Sequence, residues 1–503
     1  MPLAGSTLVV VEAPVWWMIA ATVAMGGSLR ATIDVGPDGP VLVDAVRVGG
    51  EVPSSSGDVQ ILDAAGKLLG TAAIPDPRWR TIVGHDAESG QGAKLEFARI
   101  RVDIPWPDDA ASLRLGAIEI RPSDRRAPPP GDAVEVSRSG PSSDRLDLVF
   151  LGDGYRQSEL DTFADDVDRI VSYLREIEPY GSYSGMFNIW RIDTASQESG
   201  VSHDESGISR DTEYDCYYGC ASIDRLICCD DSKVMGAVEA AVPGADGVLV
   251  LINDPVYGGS GGFNYATAYT GADDGRQVAA HELGHSLVGL WDEYNYGYDG
   301  SGEGPNCATS SSGNWDEWFG SQDVAAFQEC SYNQLYRPTD QSCMMNSLLD
   351  DYCPVCRQEA IYALYAHLPG LISSLEPAPG PLDTSVGDVQ FAVATNGPDS
   401  GLVHEWTLDG EIISSDPDFE LDCDEGEGEL MLTVYDDTPW VRADPYELMS
   451  ETVGPWTITV GGECKTTSAA EELFEACDCN TAPRPAQAGW LLALALLVRR
   501  RRG

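Results

Sequence analysis

Histidine is scarce in this chain, with six in 503 residues, so a pattern built from histidines weighs more here than in a His-rich protein. Positive charge is scarce too: 31 Lys and Arg stand against 81 Asp and Glu, for a formal charge of −50 and a pI near 4.1. That balance excludes nucleic acid and anionic membrane surfaces as partners, because both need a basic face to meet phosphate. The acid is spread along the chain as on a solvated surface, although Asp-rich loops such as Asp292 to Glu303 could hold calcium (Ca2+). Long apolar runs are also missing. A spanning helix needs about 20 uninterrupted apolar residues, whereas residues 6–26 are broken by Glu12 and Pro14, and Gly489 to Val498 supplies only ten.

Cysteine is not scarce. Nine of the thirteen lie between Cys216 and Cys356, and disulfides in an exported protein are the simplest account of so many. Cys353 and Cys356 could instead be half of a zinc knuckle or a redox pair, but no second Cys-x-x-Cys and no neighbouring His completes such a site in the sequence. The odd total implies at least one cysteine with a different fate. Export calls for a leader, and residues 1–27 make an atypical one, since no Lys or Arg precedes the apolar stretch.

The chemistry concentrates in His281-Glu282-Leu283-Gly284-His285. On a helix over Val278 to Val288 the two histidines stand four residues apart, so both imidazoles face one cation. Zinc (Zn2+) suits that spacing, and Glu282 beside the first imidazole can take a proton from water without closing the coordination sphere. A third ligand is required. Gly289 can end the helix in a left-handed turn, after which Leu290 to Glu293 folds back to present Asp292 or Glu293. Two surface histidines on an amphipathic helix would be the bland alternative. His203 reads as an ordinary polar loop residue.

A chain of this length divides into several units. After residues 1–27, residues 28–122 alternate in short runs such as Val41 to Val48, the spacing of a β-sandwich, with Trp79 and Trp106 in or beside its core. Residues 123–143, rich in Pro, Ser, Arg and Gly, read as a linker. Residues 144–370 carry a buried strand from Asp147, an amphipathic helix over Glu159 to Ile177, further strands at Phe187–Ile192 and Gly247–Asn253, and a closing helix over Arg357 to Leu368. The stretch Gly258 to Tyr269 could supply an edge strand that pairs with an extended polypeptide. Residues 371–384 read as a second linker, and 385–464 as an immunoglobulin-like domain with Trp406 in its core and Cys423 and Cys464 bridging its ends. Residues 465–503 form a linker and tail.

Eight ordered stretches carry a resemblance: Phe150 to Tyr155, Glu178 to Tyr180, Phe187-Asn188, Ser199-Gly200, His281 to His285, Asp292 to Tyr294, Ser342 to Met345 and Tyr352 to Arg357. Together, over roughly residues 145–367, the chain resembles the IgA-peptidase family of bacterial zinc metallopeptidases. The resemblance implies an α/β (α+β) metzincin-like zinc protease domain, here flanked by an N-terminal β-sandwich and a C-terminal immunoglobulin-like β-sandwich. It implies His281 and His285 as metal ligands, Glu282 as general base, and Met344 or Met345 as the methionine turn beneath the metal. Asp292, with the shorter side chain after the turn, is the expected third ligand and Glu293 the alternative. The usual metzincin pattern has its glycine three residues after the second histidine and its third ligand three beyond. Here Gly289 is four and Asp292 seven after His285.

The tail resembles the C-terminal sorting tags of myxobacterial surface proteins. A cysteine, Cys477 or Cys479, precedes a short apolar segment and four arginines, which implies processing and lipidation at the outer membrane or cell surface. The expected function is a secreted or surface-anchored zinc endopeptidase acting on polypeptides. The alternatives are a non-catalytic surface adhesin on a protease fold, against which the intact His281, Glu282 and His285 speak, and a zinc amidase acting on cell-wall peptides. Immunoglobulin as substrate is carried by the family name alone.

Overall fold

A computed structural model describes residues 28–36, 39–48, 59–72, 79–82, 91–94, 98–105, 110–116, 118–121 and 123–124, then 133–459 apart from 263, 349, 385–387, 423–425 and 443–445. The leader, the tail, Trp106, the side chain of Trp79 and Cys423, Cys464, Cys477 and Cys479 lie outside the described residues. Several sheets and few helices give a mixed α/β chain. Among the described residues no helix is long and apolar enough to cross a membrane.

The central sheet is built from β1 (Val134–Ser137), β2 (Leu146–Asp153), β3 (Phe187–Ile192), β4 (Gly247–Ile252), β5 (Gly259–Ser260) and β6 (Ala266–Tyr269), in the order β1-β3-β2-β4-β6-β5. The middle four run parallel and the two edge strands antiparallel. Every residue of β2 and of β4 is buried, which explains continuous apolar runs where a half-exposed strand would alternate. The pleat sends alternate side chains to two layers. Leu148, Phe150, Leu249 and Leu251 pack with α1 (Leu160–Leu174) and α3 (Gly275–Leu283), whereas Val149, Leu151, Val248 and Val250 pack with α2 (Asp231–Ala241). The amphipathic stripe of α1 closes the first layer through Phe163, Val167, Ile170, Val171 and Leu174.

Two stretches expected to be linkers carry structure. β1 lies within 123–143 and pairs with β3, and Ser139 and Gly140 donate backbone hydrogen bonds to Asn188 Oδ1. Residues 371–384 contain strands Ile372–Glu376 and Pro381–Asp383, both paired with C-terminal strands. Neither shows in a sequence pattern, because each is a short strand whose partner lies far along the chain.

Residues 28–124 form two four-stranded sheets, joined by a core that includes Ala31, Ile33, Ile61, Ile104 and Leu113, and a two-stranded one. Toward the C-terminus, three- and five-stranded sheets enclose Phe391, Trp406, Phe419 and Trp456. This aromatic cluster runs on into the core of the central sheet. Tyr183 and Tyr365 both donate to Asp436 Oδ2 at 2.6 Å across that junction.

Candidate metal centre

Strand β6 hands the chain directly to α3, whose small residues Ala279 and Ala280 and larger Val278 and Leu283 are all buried. The packed helix points its last turns to one end of the sheet. There the sequence widens: Gly284–Val288 form a π-helical turn, Leu290 N–H donates to Gly284 O, and Gly289 takes φ 78°. The wide turn accommodates one more residue than an α-turn before the chain reverses. It therefore absorbs the extra residue between His285 and Gly289, and Asp292 still arrives at the histidines.

The three donor atoms form a triangle. His281 Nε2 and His285 Nε2 are 3.1 Å apart, and Asp292 Oδ1 is 3.1 Å from each. The far nitrogens are tied down: His281 Nδ1–H donates to Met344 O at 2.8 Å and His285 Nδ1–H to Leu290 O at 2.6 Å. Those bonds leave both Nε2 lone pairs facing each other and a carboxylate. Three acceptors converge, and donor atoms about 2.0–2.1 Å from a tetrahedral zinc stand roughly 3.3 Å from one another, so the set fits such an ion. The buried carboxylate makes the site favour positive charge. Burial opposes charge on His285, but the Asp292 carboxylate overrides it and pushes the pKa up to about 9. Burial would raise the Asp292 carboxyl, yet His285 and His281 hold it well below the usual range. His281, whose shift burial dominates, is lowered.

Glu282 is fully buried beside the triangle. Below the triangle, Met345 Sδ and Tyr352 Oη approach Gly284 so closely that a Cβ there would meet them at 3.1 and 2.8 Å. Tyr352 donates to Ala280 O at 2.6 Å, and Tyr296 donates to Asp292 Oδ2 at 2.7 Å. Sequence reasoning missed Tyr296, Tyr352 and Gly261 as parts of this site. They lie in loops without periodicity, where no spacing rule singles them out.

The remaining candidates go elsewhere. Glu293, the alternative third ligand, turns away from the histidines: its Oε1 accepts from Asn306 Nδ2 at 3.2 Å and Cys356 Sγ at 3.0 Å. Its N–H is bound to Met345 O, and its side chain lies with Asn306 and Cys356 while that of Asp292 lies with the histidines. His203 stacks on Tyr218 and places Nε2 3.0 Å from Asp254 Oδ2. Among the described residues the acids of Asp292 to Glu303 do not gather into one cluster. Asp299 accepts from Asn333 Nδ2, Glu303 from Thr309 N–H, and these acids do not converge.

The stretch Gly258 to Tyr269 supplies the edge of the sheet through its first part only. Ala266–Tyr269 is paired on both sides, and the edge is Gly259–Ser260. Even this edge is engaged, since Gly259 N–H donates to Arg225 O and Ser260 Oγ to Ile227 O. The insertion that supplies those carbonyls is held by Cys216–Cys229 and Cys220–Cys228, and a third disulfide joins Cys307 to Cys330.

No curated protein shows significant similarity to the chain. Residues 134–308, from β1 through α3 to the segment carrying Asp292, match the model of the family described as IgA Peptidase M64, and that match identifies this part of the chain as resembling a metallopeptidase.

Proposed function

We propose that the chain is a zinc-dependent endopeptidase in which His281, His285 and Asp292 hold the metal and Glu282 is the general base. The observation that carries this reading is the triangle of acceptors: two imidazoles whose Nδ1 atoms are committed to backbone carbonyls and whose Nε2 atoms meet Asp292 Oδ1 at 3.1 Å. A zinc ion held there supplies a Lewis acid that polarises the scissile carbonyl and acidifies water at neutral pH. Glu282 accepts the proton released as water attacks and returns it to the departing amine. Tyr296 fixes Asp292 through its second oxygen, leaving the first for the cation.

The three disulfides favour an oxidising compartment, so secretion or display at the cell surface, with attachment through the C-terminal tag, completes the proposal. The test is zinc content and casein hydrolysis of the purified full chain beside Glu282→Ala. Both proteins bind zinc and only the wild type cleaves if the reading is right. A folded wild type whose metal content is unchanged by His285→Ala would overturn the site. Metal without cleavage of casein or of a peptide library would favour the adhesin reading.

A further inference from the structure

Three cysteines of the described chain are not in disulfides: Cys343, Cys353 and Cys356, all buried. They are gathered around one carboxylate. Cys343 Sγ lies 3.6 Å from Cys356 Sγ, and Glu293 Oε1 lies 3.0 Å from Cys356 Sγ and 3.8 Å from Cys353 Sγ. The four donor atoms all fall within 4.8 Å of one another.

We infer that Glu293, Cys343, Cys353 and Cys356 hold a second, structural zinc ion. With zinc–sulfur bonds of about 2.3 Å and zinc–oxygen bonds of about 2.0 Å, tetrahedral geometry spaces sulfurs roughly 3.8 Å apart and a sulfur and an oxygen roughly 3.5 Å apart. The two sulfur–oxygen separations, 3.0 and 3.8 Å, bracket that value, and the sulfur–sulfur separation of 3.6 Å lies just below its own. Four protein ligands leave no open position, the mark of a structural site and not of a second reactive one.

Several independent features fit a bound cation. Glu293 is fully buried, and its Oε2 has no hydrogen-bond partner among the described residues. A carboxylate enclosed among three thiols is costly unless a cation compensates it. Backbone donors point at the sulfurs as they do around metal-bound thiolates: Cys353 N–H reaches Cys343 Sγ at 3.4 Å and Cys356 N–H reaches Cys353 Sγ at 3.5 Å. Cys353 also caps the N-terminus of α4 (Pro354–Ala366), whose dipole favours negative charge there. A disulfide would use two of the three sulfurs and leave the third with the carboxylate. A metal uses all four, each bound thiol giving its proton to solvent.

The position gives the ion a task. Cys343 directly precedes Met344, the carbonyl that orients His281. Glu293 directly follows Asp292, and its backbone is bound on both sides to the same loop, by N–H to Met345 O at 2.8 Å and by its carbonyl to Asn346 Nδ2 at 2.9 Å. The second ion thus clamps together α4, the loop beneath the histidines and the segment that delivers Asp292.

The experiment is metal analysis and cobalt substitution of the purified full chain. The wild type should carry about two zinc ions, and its cobalt form should show the intense thiolate-to-cobalt charge-transfer band that only sulfur ligands produce. His285→Ala should lose one ion and keep the band, whereas Cys356→Ser should lose one ion and the band together. If Cys356→Ser does not fold, the wild-type cobalt spectrum and alkylation of the denatured, unreduced chain decide. Three alkylated thiols at 343, 353 and 356 with the band support the site. A disulfide among them, or three thiols with no band, overturns it. A wild type that shows the band but whose metal content is unchanged by His285→Ala would count against the catalytic site and leave this one standing.

Discussion

Gly261 is packed directly against Glu282: a methyl group on its Cα would stand 2.8 Å from Glu282 Oε2 and 2.6 Å from His285 Cβ. The residue just beyond the edge strand therefore sets how closely backbone approaches the proposed general base. In Gly261→Ala one of them must move. Displacements of this size at a reacting centre cost on the order of 100-fold, so kcat/KM should fall by about that factor while circular dichroism stays as in wild type. Unchanged kcat/KM would show that the carboxylate can shift without consequence.

Tyr296→Phe removes the hydroxyl that holds Asp292 Oδ2 at 2.7 Å. Partners of this kind are worth about 10–100-fold in metal affinity, and competition with a chromophoric chelator should register a loss in that range. No loss would mean that the backbone around Asp292, where Ser331 Oγ donates to its carbonyl at 2.7 Å, orients the carboxylate unaided.

Asp436→Ala should show how firmly the C-terminal sheets belong to the core of the central sheet. It strands the hydroxyls of Tyr183 and Tyr365, both of which donate to Asp436. Leaving two buried donors unmatched costs roughly 2–4 kcal/mol, read as a lower urea midpoint. A shift much smaller than that would mean water reaches both hydroxyls.

His404 supplies a pH dependence. Its Nδ1–H donates to Leu402 O at 3.1 Å, and its buried Nε2 has no hydrogen-bond partner among the described residues. Burial lowers its pKa from the ordinary value, so the unfolded chain binds the proton more readily than the folded one. Its contribution to stability is complete above about pH 6.5 and is lost as pH falls through the lowered folded value. Urea midpoints should fall between about pH 7.5 and pH 5.5, and less so in His404→Leu. An equal fall in both proteins would assign the slope to other groups.

Much of the fold was legible because its signals are local. Strand Phe187–Ile192 appears at its expected bounds, and the apolar stripe from Phe163 to Leu174 forms one face of α1. A run of apolar residues or a repeat of 3.6 needs no knowledge of partners. The strands inside the expected linkers were not legible for the opposite reason, since their identity depends on pairing with β3 or with strands near residues 395 and 457. The edge was placed within Gly258 to Tyr269, but nothing in that stretch tells which part is the edge or that residues 225–227 cover it.

At the candidate site, the sequence by itself determined the pair His281 and His285 and the carboxylate between them, because a helical period of 3.6 puts residues four apart on one face whatever surrounds them. It also located the turn at Gly289. Only the tertiary structure decided between Asp292 and Glu293 as the carboxylate facing the histidines. The choice depends on a π-turn that takes up one residue and on the contacts that draw Glu293 to Asn306 and Cys356 while Asp292 meets the histidines. Likewise only the fold brought Cys343 and Glu293 to Cys353 and Cys356. Spacing along a chain reports on residues that share an element, and a site assembled from three elements has no spacing to read.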